Sequence, residues 1–459
     1  MISGTGAWVD QVLLAGPDNG ACLELDRLWD RGALRDLIED RRRRLAAAGL
    51  RSGGTVALSL PPSIACIANL LAAWRLGAQV ALLDHRLTRH EVERALSRLD
   101  PQFAVEPSEP VTGALRGFHT VEERIVPLHG QPAQTDHILI QLSSGSTGPS
   151  KVIARTEAGL VAEIERYTRI KGFPRDGERA VVLASTVHVL GLVGGLLHSL
   201  HAGVRVSIPE RVTAGGILDA IAAAGEPTTV IAVPFHAEIL SSVAEPPELP
   251  YLARMVTGGE PVRAGVREAF TGRYRVPLGT MYGMTECGVI ATDLTGRHPS
   301  ALRPAPGMRI RTDRGELLLG LPSSPYLGAA DPARWADGWL RTRDAGSLDP
   351  VTGRLTVQGR LDAQVSVGGL KVDLAEVEQT LASLPQVRDA VVLHGTHIEA
   401  YLALTEPVPL TELEAALAER LAAYKRPRAL HVLTEIPRTA TGKPVRDPGV
   451  LRAALTRQA

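Results

Sequence analysis

Between residues 30 and 110 the apolar positions alternate between two periods. "GALRDLIEDRRRRLAAAGL" (32–50) reads as a helix, "GGTVALSL" (53–60) as a strand, "SIACIANLLAAWRLGA" (63–78) as a helix and "QVALLD" (79–84) as a strand. Thr88 and Glu91, in "TRHEVERALSRL", form a capping-box pattern that opens another helix. Strands alternating with helices predict an α/β domain with a largely parallel sheet. The middle keeps this rhythm. "RAVVLAS" (179–185) and "VRVSIP" (204–209) read as strands around "GLLHSLHAG", and "TTVIAVP" (228–234) and "ARMVTGG" (253–259) as two more. From about residue 311 the pattern changes to short strands and turns, a β-rich subdomain.

After about residue 362 comes a compact tail. It holds helix "DLAEVEQTLASL", strands "DAVVLHG" and "EAYLALT", helix "TELEAALAERLAAY" and strand "ALHVLTEI". The expected architecture is a large N-terminal α/β domain with its β-rich subdomain, residues 1–361, and a small α+β C-terminal lid, residues 362–459. The chain's 459 residues are too many for one core, which agrees with two domains. The longest apolar stretch, "AVVLASTVHVLGLVGGLLHSL" (180–200), carries hydroxyls, histidines and glycines. It reads as a buried strand running into a buried helix, not as a membrane span.

Charge narrows the classes. Lys+Arg and Asp+Glu are both 50, so the formal net charge is zero, which argues against broad nucleic-acid binding. The run "RRRR" (41–44) lies in a helical pattern and reads as a solvated helix face. Three cysteines, Cys22, Cys66 and Cys287, without CxxC spacing, support neither a disulfide framework nor a zinc site. With no basic segment leading into an apolar core at the N-terminus, a cytoplasmic location is expected.

The chemistry begins at "SSGSTGPSK" (143–151). Glycines let backbone approach a ligand, successive N–H groups make an anion-binding concavity, and Lys151 adds positive charge. A phosphate suits such a loop. It is not a Walker A loop, because Pro149 and Ser150 separate Gly148 from Lys151, and no GxGxxG fingerprint is present. "MYGMTECG" (281–288), "GWLRTRD" (338–344), "GRLDAQVSVGGLKVDLAEVE" (359–378) and "PRTATGKPVR" (437–446) follow in order.

With these ordered motifs the chain resembles the adenylate-forming superfamily, most closely the stand-alone aryl acid–AMP ligases and acyl-CoA synthetases. The resemblance spans roughly residues 50–446. It implies activation of a carboxylic acid by ATP and Mg²⁺, release of pyrophosphate and transfer of the acyl group to a thiol, with the small domain a mobile lid. Residue by residue, it implies that Ser143, Ser144, Gly145, Ser146, Thr147, Gly148 and Lys151 cradle the β- and γ-phosphates. Tyr282 would pack on adenine, Thr285 touch the α-phosphate and Glu286 hold Mg²⁺. Asp344 would accept from both ribose hydroxyls, a role suited to a two-oxygen acceptor, and Arg360 would make a second ribose or phosphate contact. Asp362 would be the hinge and Lys443 the adenylating lysine.

The sequence departs from the family pattern in places. It has "PSKVI" where Pro-Lys-Gly is usual, "TRD" where TGD is usual, which brings Arg343 toward the ribose site, and Ser366 at a common hinge lysine. The N-terminal domain is also short for the family. For the acid, "STVHVLGLVGG" (185–195) holds His188 but no aspartate to pair with an α-amino group, so an amino acid is disfavoured. Val189 replaces the asparagine of dihydroxybenzoate ligases.

An apolar pocket of His188, Val189, Leu190, Gly258, Gly259, Gly283, Met284 and Val289 suits a substituted aromatic acid, such as an anthranilate or benzoate, or a medium-chain acyl group. A phosphopantetheine carrier protein of a natural-product assembly line is the expected acceptor, with free coenzyme A the alternative. An inactive nucleotide-binding regulator of the same fold is a second alternative, and a luciferase-like oxygenase rests on fold analogy alone.

Lys443→Ala is expected to lower acid-dependent ATP–pyrophosphate exchange by about a hundredfold or more while leaving ATP binding largely intact. Unchanged exchange would remove Lys443 from the adenylating role.

Overall fold

The fold was analysed in a computed structural model that describes residues 6–111, 115–142, 151–223, 225–328, 331–362, 364–438 and 444–456. The chain divides into two compact units. The first comprises Met1–His85, Leu99–Gln141 and Val152–Gly359; the second comprises Arg86–Arg98, Leu142–Lys151 and Arg360–Ala459. The division near residue 360 lies beside the expected 361/362 boundary. The second unit, however, also takes two earlier segments that the contiguous division left in the first.

The first unit is α/β. One sheet of nine strands runs in the order Arg303–Pro304, Gly288–Asp293, Leu278–Met284, Leu252–Gly258, Thr228–Ala232, Arg179–Val182, Arg205–Ser207, Ala21–Glu24 and Leu28–Asp30. Its middle is parallel, from Ala21–Glu24 across to Leu278–Met284, and antiparallel strands close both ends. A sheet of six strands runs Glu123–Pro127, Phe103–Pro107, Thr55–Leu58, Gln79–Leu82, His137–Leu142 and Val152–Thr156. Thr55–Leu58 and Thr228–Ala232 are buried at every position, as parallel strands covered on both faces require. The β-rich subdomain is a five-stranded sheet from Arg309–Asp313 to Leu355–Arg360, centred on the long strand Trp339–Leu348.

Local chemistry explains where the helices start. Asp30, Ser63, Thr156 and Thr213 each accept a backbone N–H three residues on, the N-cap bond that relieves an orphan donor. The expected capping box forms: Thr88 N donates to Glu91 Oε2 at 2.9 Å and Glu91 N to Thr88 Oγ1 at 3.2 Å. Packing then ties helix to sheet. The Trp74 indole donates to the Ile138 carbonyl at 2.8 Å, and its ring meets Trp8 at 5.2 Å between centroids.

The apolar stretch 180–200 is a strand, Arg179–Val182, and then a π-helix, Leu190–Leu197, that continues into the short helix His198–Ala202. Among the described residues no helix is long and apolar enough to cross a membrane. The arginine run is less solvated than its pattern predicts. Arg41 and Arg44, one helical turn apart, both reach Glu123, at 2.6 and 2.9 Å, while Arg42 and Arg43 pair with Glu39 at 2.7 and 3.0 Å.

The second unit is α+β. Strands Val387–His394, Ile398–Leu404 and Ala429–Leu433 form one sheet, and Gln364–Val367 pairs with Leu370–Asp373. Helices Leu374–Ala382 and Leu410–Arg420 contribute Val377, Leu381, Leu413 and Leu417 to its core. Lys425 is buried. Its Nζ lies 2.8 Å from Glu91 Oε1 and 3.3 Å from Glu376 Oε1, which binds Arg86–Arg98 to the rest of this unit.

Two histidines make the fold sensitive to acid. His198 is fully buried beside Phe173 and Tyr167, and burial lowers its pKa to about 3; burial lowers His236 to about 4. Both rings are neutral when folded and take a proton once unfolded. Their contribution is complete above the ordinary histidine pKa near 6.5 and is lost as pH falls toward 4 and 3. The unfolding free energy should therefore fall between pH 6.5 and 5 by roughly 1 kcal/mol per pH unit for each ring. His198→Phe should remove one ring's share, and an unaltered pH slope in that variant would contradict this origin.

Candidate functional site

The first unit gathers several of the expected residues around the strand pair Leu278–Met284 and Gly288–Asp293. Tyr282 lies on the first of these strands, and its hydroxyl donates to Asp344 Oδ2 at 2.5 Å. Asp344 comes from the neighbouring subdomain strand Trp339–Leu348 and is buried. Its backbone N–H donates to Thr342 Oγ1 at 3.0 Å, and Thr342 in turn donates to the Leu317 carbonyl at 2.8 Å. Burial, and then the Asp344 charge, raise the Tyr282 phenol well above its ordinary value. Tyr282 therefore stays a neutral donor, and Asp344 an acceptor held in place.

Arg343, flanking Asp344, adopts φ +62°, the left-handed region that a glycine occupies without steric cost. Its N–H donates to Glu316 Oε1 at 3.0 Å and its Nη2 to the Ala333 carbonyl at 3.0 Å. These bonds hold a conformation that costs of order 1 kcal/mol for a residue with a Cβ. The guanidinium is thus engaged by backbone of its own subdomain.

The turn between the two strands carries Thr285 and Glu286. Glu286 is buried, and its Oε1 accepts from the Tyr326 hydroxyl at 3.1 Å. Burial, followed by the Glu286 charge, pushes the Tyr326 phenol up. Among the described residues no cluster of three or more His, Cys, Asp or Glu could hold a metal. A single carboxylate fits a hard cation that keeps its other places for water and phosphate oxygens, the habit of Mg²⁺. Gly283 pairs with Val289 just past a register shift, and a Cβ on Gly283 would lie 2.7 Å from the Gly288 carbonyl oxygen.

The expected acyl-pocket residues divide into two groups. Leu190 and Gly258 meet: a Cβ on Gly258 would lie 3.1 Å from Leu190 Cδ2. Met284 and Leu190 are half-buried, and Gly259 is exposed at the end of its strand. Val189 and Val289 belong to the closed hydrophobic core. His188 is half-buried, and its Nε2 lies 3.7 Å from Asp84 Oδ2. Asp84, buried just beyond strand Gln79–Leu82, also has His85 Nδ1 at 3.6 Å.

In the second unit, Arg360 grips Asp362. Its Nη2 lies 2.6 Å from Oδ2 and its Nε 2.9 Å from Oδ1. The expected nucleotide contact and the expected hinge residue are thus an ion pair. Lys151 is half-buried and belongs to the same unit. The loop residues 143–150, including Ser143 through Gly148, and Lys443 lie outside the described residues. All three cysteines are buried thiols. Burial pushes Cys22 up to about 11 and Cys66 up to about 12, and it raises Cys287 as well.

Sequence reasoning missed Asp84, Tyr326, Arg155 and Glu163. The last two had a legible signal. Glu163 falls in the helix register of Leu160, Ile164 and Tyr167, all buried, so a charge sits where an apolar residue belongs. Arg155 likewise interrupts the apolar strand "KVIART".

The chain matches two family models: AMP-binding enzyme over residues 32–317 and AMP-binding enzyme C-terminal domain over residues 376–443. It is 27% identical to a 2-succinylbenzoate–CoA ligase of Bacillus licheniformis, across 96% of this chain and 98% of that enzyme. It is 26% identical to a 4-chlorobenzoate–CoA ligase of an Arthrobacter species, across 94% and 90% respectively. A solved structure of the o-succinylbenzoate–CoA synthetase of Bacillus subtilis, a double variant with a product analogue bound, superposes with a TM-score of 0.82. The two share 25% identity, over 96% of this chain and 97% of that one.

Tyr282→Phe removes the donor to a buried carboxylate and should lower unfolding stability by roughly 1–3 kcal/mol. A denaturation midpoint equal to wild type would show that Asp344 does not depend on this hydroxyl.

Proposed function

The chain belongs to the AMP-binding enzyme family, the adenylate-forming acid–thiol ligases, and from that premise we propose that it joins a substituted aromatic carboxylic acid to free coenzyme A through an acyl-adenylate. The observation that carries this reading is that two relatives matched along nearly their whole length, the 2-succinylbenzoate and 4-chlorobenzoate ligases, join ring-bearing acids to coenzyme A. It favours coenzyme A over the carrier protein expected from the sequence.

In the first half-reaction a carboxylate oxygen of the acid attacks the α-phosphorus of ATP. The bond from that phosphorus to the β-bridging oxygen breaks, and pyrophosphate leaves with the electron pair. In the second, the coenzyme A sulfur attacks the acyl carbon, AMP leaves, and the thiol proton passes to solvent or a base. Both reactants of the first step are anions, so the residues around them must offset charge before bonds change.

In this reading Asp344 accepts from the ribose hydroxyls and Tyr282, its phenol fixed by Asp344, lays its ring against adenine. The Thr285 hydroxyl meets the α-phosphate. Glu286, braced by Tyr326, would hold Mg²⁺, which when bound screens charge developing on the phosphate oxygens. The loop from Ser143 to Lys151 cradles the distal phosphates, and Lys443 bridges the two reactants. His188 borders the acid with Leu190, Gly258 and Met284, and Asp84 stands behind it. Arg360, paired with Asp362, would make the second ribose or phosphate contact.

The test is ATP–pyrophosphate exchange with a panel of benzoates, anthranilates, heteroaryl acids, fatty acids and amino acids. It is followed by thioester analysis with coenzyme A and with a phosphopantetheinylated carrier protein in competition. Exchange with one aromatic acid and product on coenzyme A are expected. Exchange with alkyl acids alone would overturn the aromatic assignment, and product on the carrier alone would overturn the acceptor.

A further inference from the structure

We infer that the buried pair Arg155–Glu163 is a positioning device for Thr285 and Glu286, an inference that rests on the nucleotide reading above. Arg155 stands on strand Val152–Thr156, immediately after the loop 143–151, and Glu163 on the next helix, Glu157–Thr168. Arg155 Nη2 lies 2.5 Å from Glu163 Oε2 and 3.5 Å from the Gly159 carbonyl oxygen. Arg155 Nη1 lies 3.5 Å from the Thr285 carbonyl oxygen. Arg166, on the same helix, places Nη1 at 3.3 Å from the Cys287 carbonyl oxygen. The Thr285–Glu286 peptide, directly before Glu286, and the Cys287–Gly288 peptide, one further on, therefore face guanidinium groups. The first restrains one of the two peptide planes that set the direction of the Glu286 side chain, and the second anchors the far end of the turn.

The same strand governs the other side of Glu286. Ile153 bridges Tyr326, the Ala154 N–H donates to the Pro325 carbonyl at 2.9 Å, and the Leu327 N–H donates to the Val152 carbonyl at 2.9 Å. Tyr326 then donates to Glu286. Strand Val152–Thr156 thus reaches Glu286 by two routes, one through backbone carbonyls and one through its carboxylate.

The fit is tight. Gly288, at φ +81°, lies against Glu163, and a Cβ there would overlap the Glu163 carboxylate. A wholly buried ion pair is weak support for stability, because an apolar pair of similar volume often serves as well. What an apolar pair cannot supply is a guanidinium facing the Thr285 carbonyl.

The test uses the double variant Arg155→Met/Glu163→Leu, which removes both charges together, and Arg155→Lys. ATP binding is measured by titration calorimetry with and without Mg²⁺, no acid being needed. The double variant should keep its thermal midpoint and its Mg²⁺-free ATP affinity, and lose about tenfold of the gain in affinity that Mg²⁺ gives, as expected when support behind a metal ligand is removed. Arg155→Lys should recover part of that gain. An unchanged Mg²⁺ effect in the double variant overturns the inference alone. A wild-type protein whose ATP binding ignores Mg²⁺ overturns the nucleotide reading and this inference with it. If the double variant does not fold, Arg155→Gln/Glu163→Gln, which also removes both charges but keeps polar side chains, carries the same comparison, with the same outcomes deciding.

Discussion

A carboxylate shut away from water ionises only beside a group that can answer its charge, and the first unit is arranged around that constraint. Glu163 is wholly buried and lies against Arg155; Asp344 takes the Tyr282 hydroxyl; Glu286 takes the Tyr326 hydroxyl; Asp84 has two imidazoles within 4 Å. Each partner comes from a different element than the carboxylate it serves, Asp84 and its neighbour His85 excepted. Register within the sheets therefore also decides whether these carboxylates meet their partners. Moving one strand by a residue would strand an acid in apolar surroundings.

Much of this was legible in the chain and some was not, for reasons that can be named. Helices with polar caps and apolar stripes were visible because the signal is local: Thr88 and Glu91 lie three residues apart and bond as their spacing predicts. The parallel strands were visible because burial on both faces leaves continuous apolar runs. The pairing of Tyr282 with Asp344 is a contact across 62 residues, and that of Lys425 with Glu91 spans 334, so no periodicity could announce either. Lys425 also explains why the second unit recruits Arg86–Arg98, which a linear reading leaves with its neighbours. The glycine-rich stretch 190–197 was read as ordinary helix, whereas it is wound as a π-helix, a distinction that composition does not carry.

The acceptor illustrates a different limit. The expected acceptor, a carrier protein, goes with the resemblance to stand-alone aryl acid–AMP ligases. A phosphate-binding loop such as that proposed for residues 143–151 would serve every acceptor class alike, so it says little about which thiol follows. Relatives that match along the whole chain weigh more, and those compared here are coenzyme A ligases.

The buried cysteines carry a consequence of their own. An acyl-adenylate is an acylating agent, and the atom best able to intercept it is a thiolate sulfur, not a thiol. Cys287 stands directly after Glu286, yet burial keeps its sulfur protonated, as it does Cys22 and Cys66. A protein that makes such a mixed anhydride carries no cysteine sulfur of its own to consume it, so turnover need not end in self-modification. The sulfur that collects the acyl group is then the one delivered from outside.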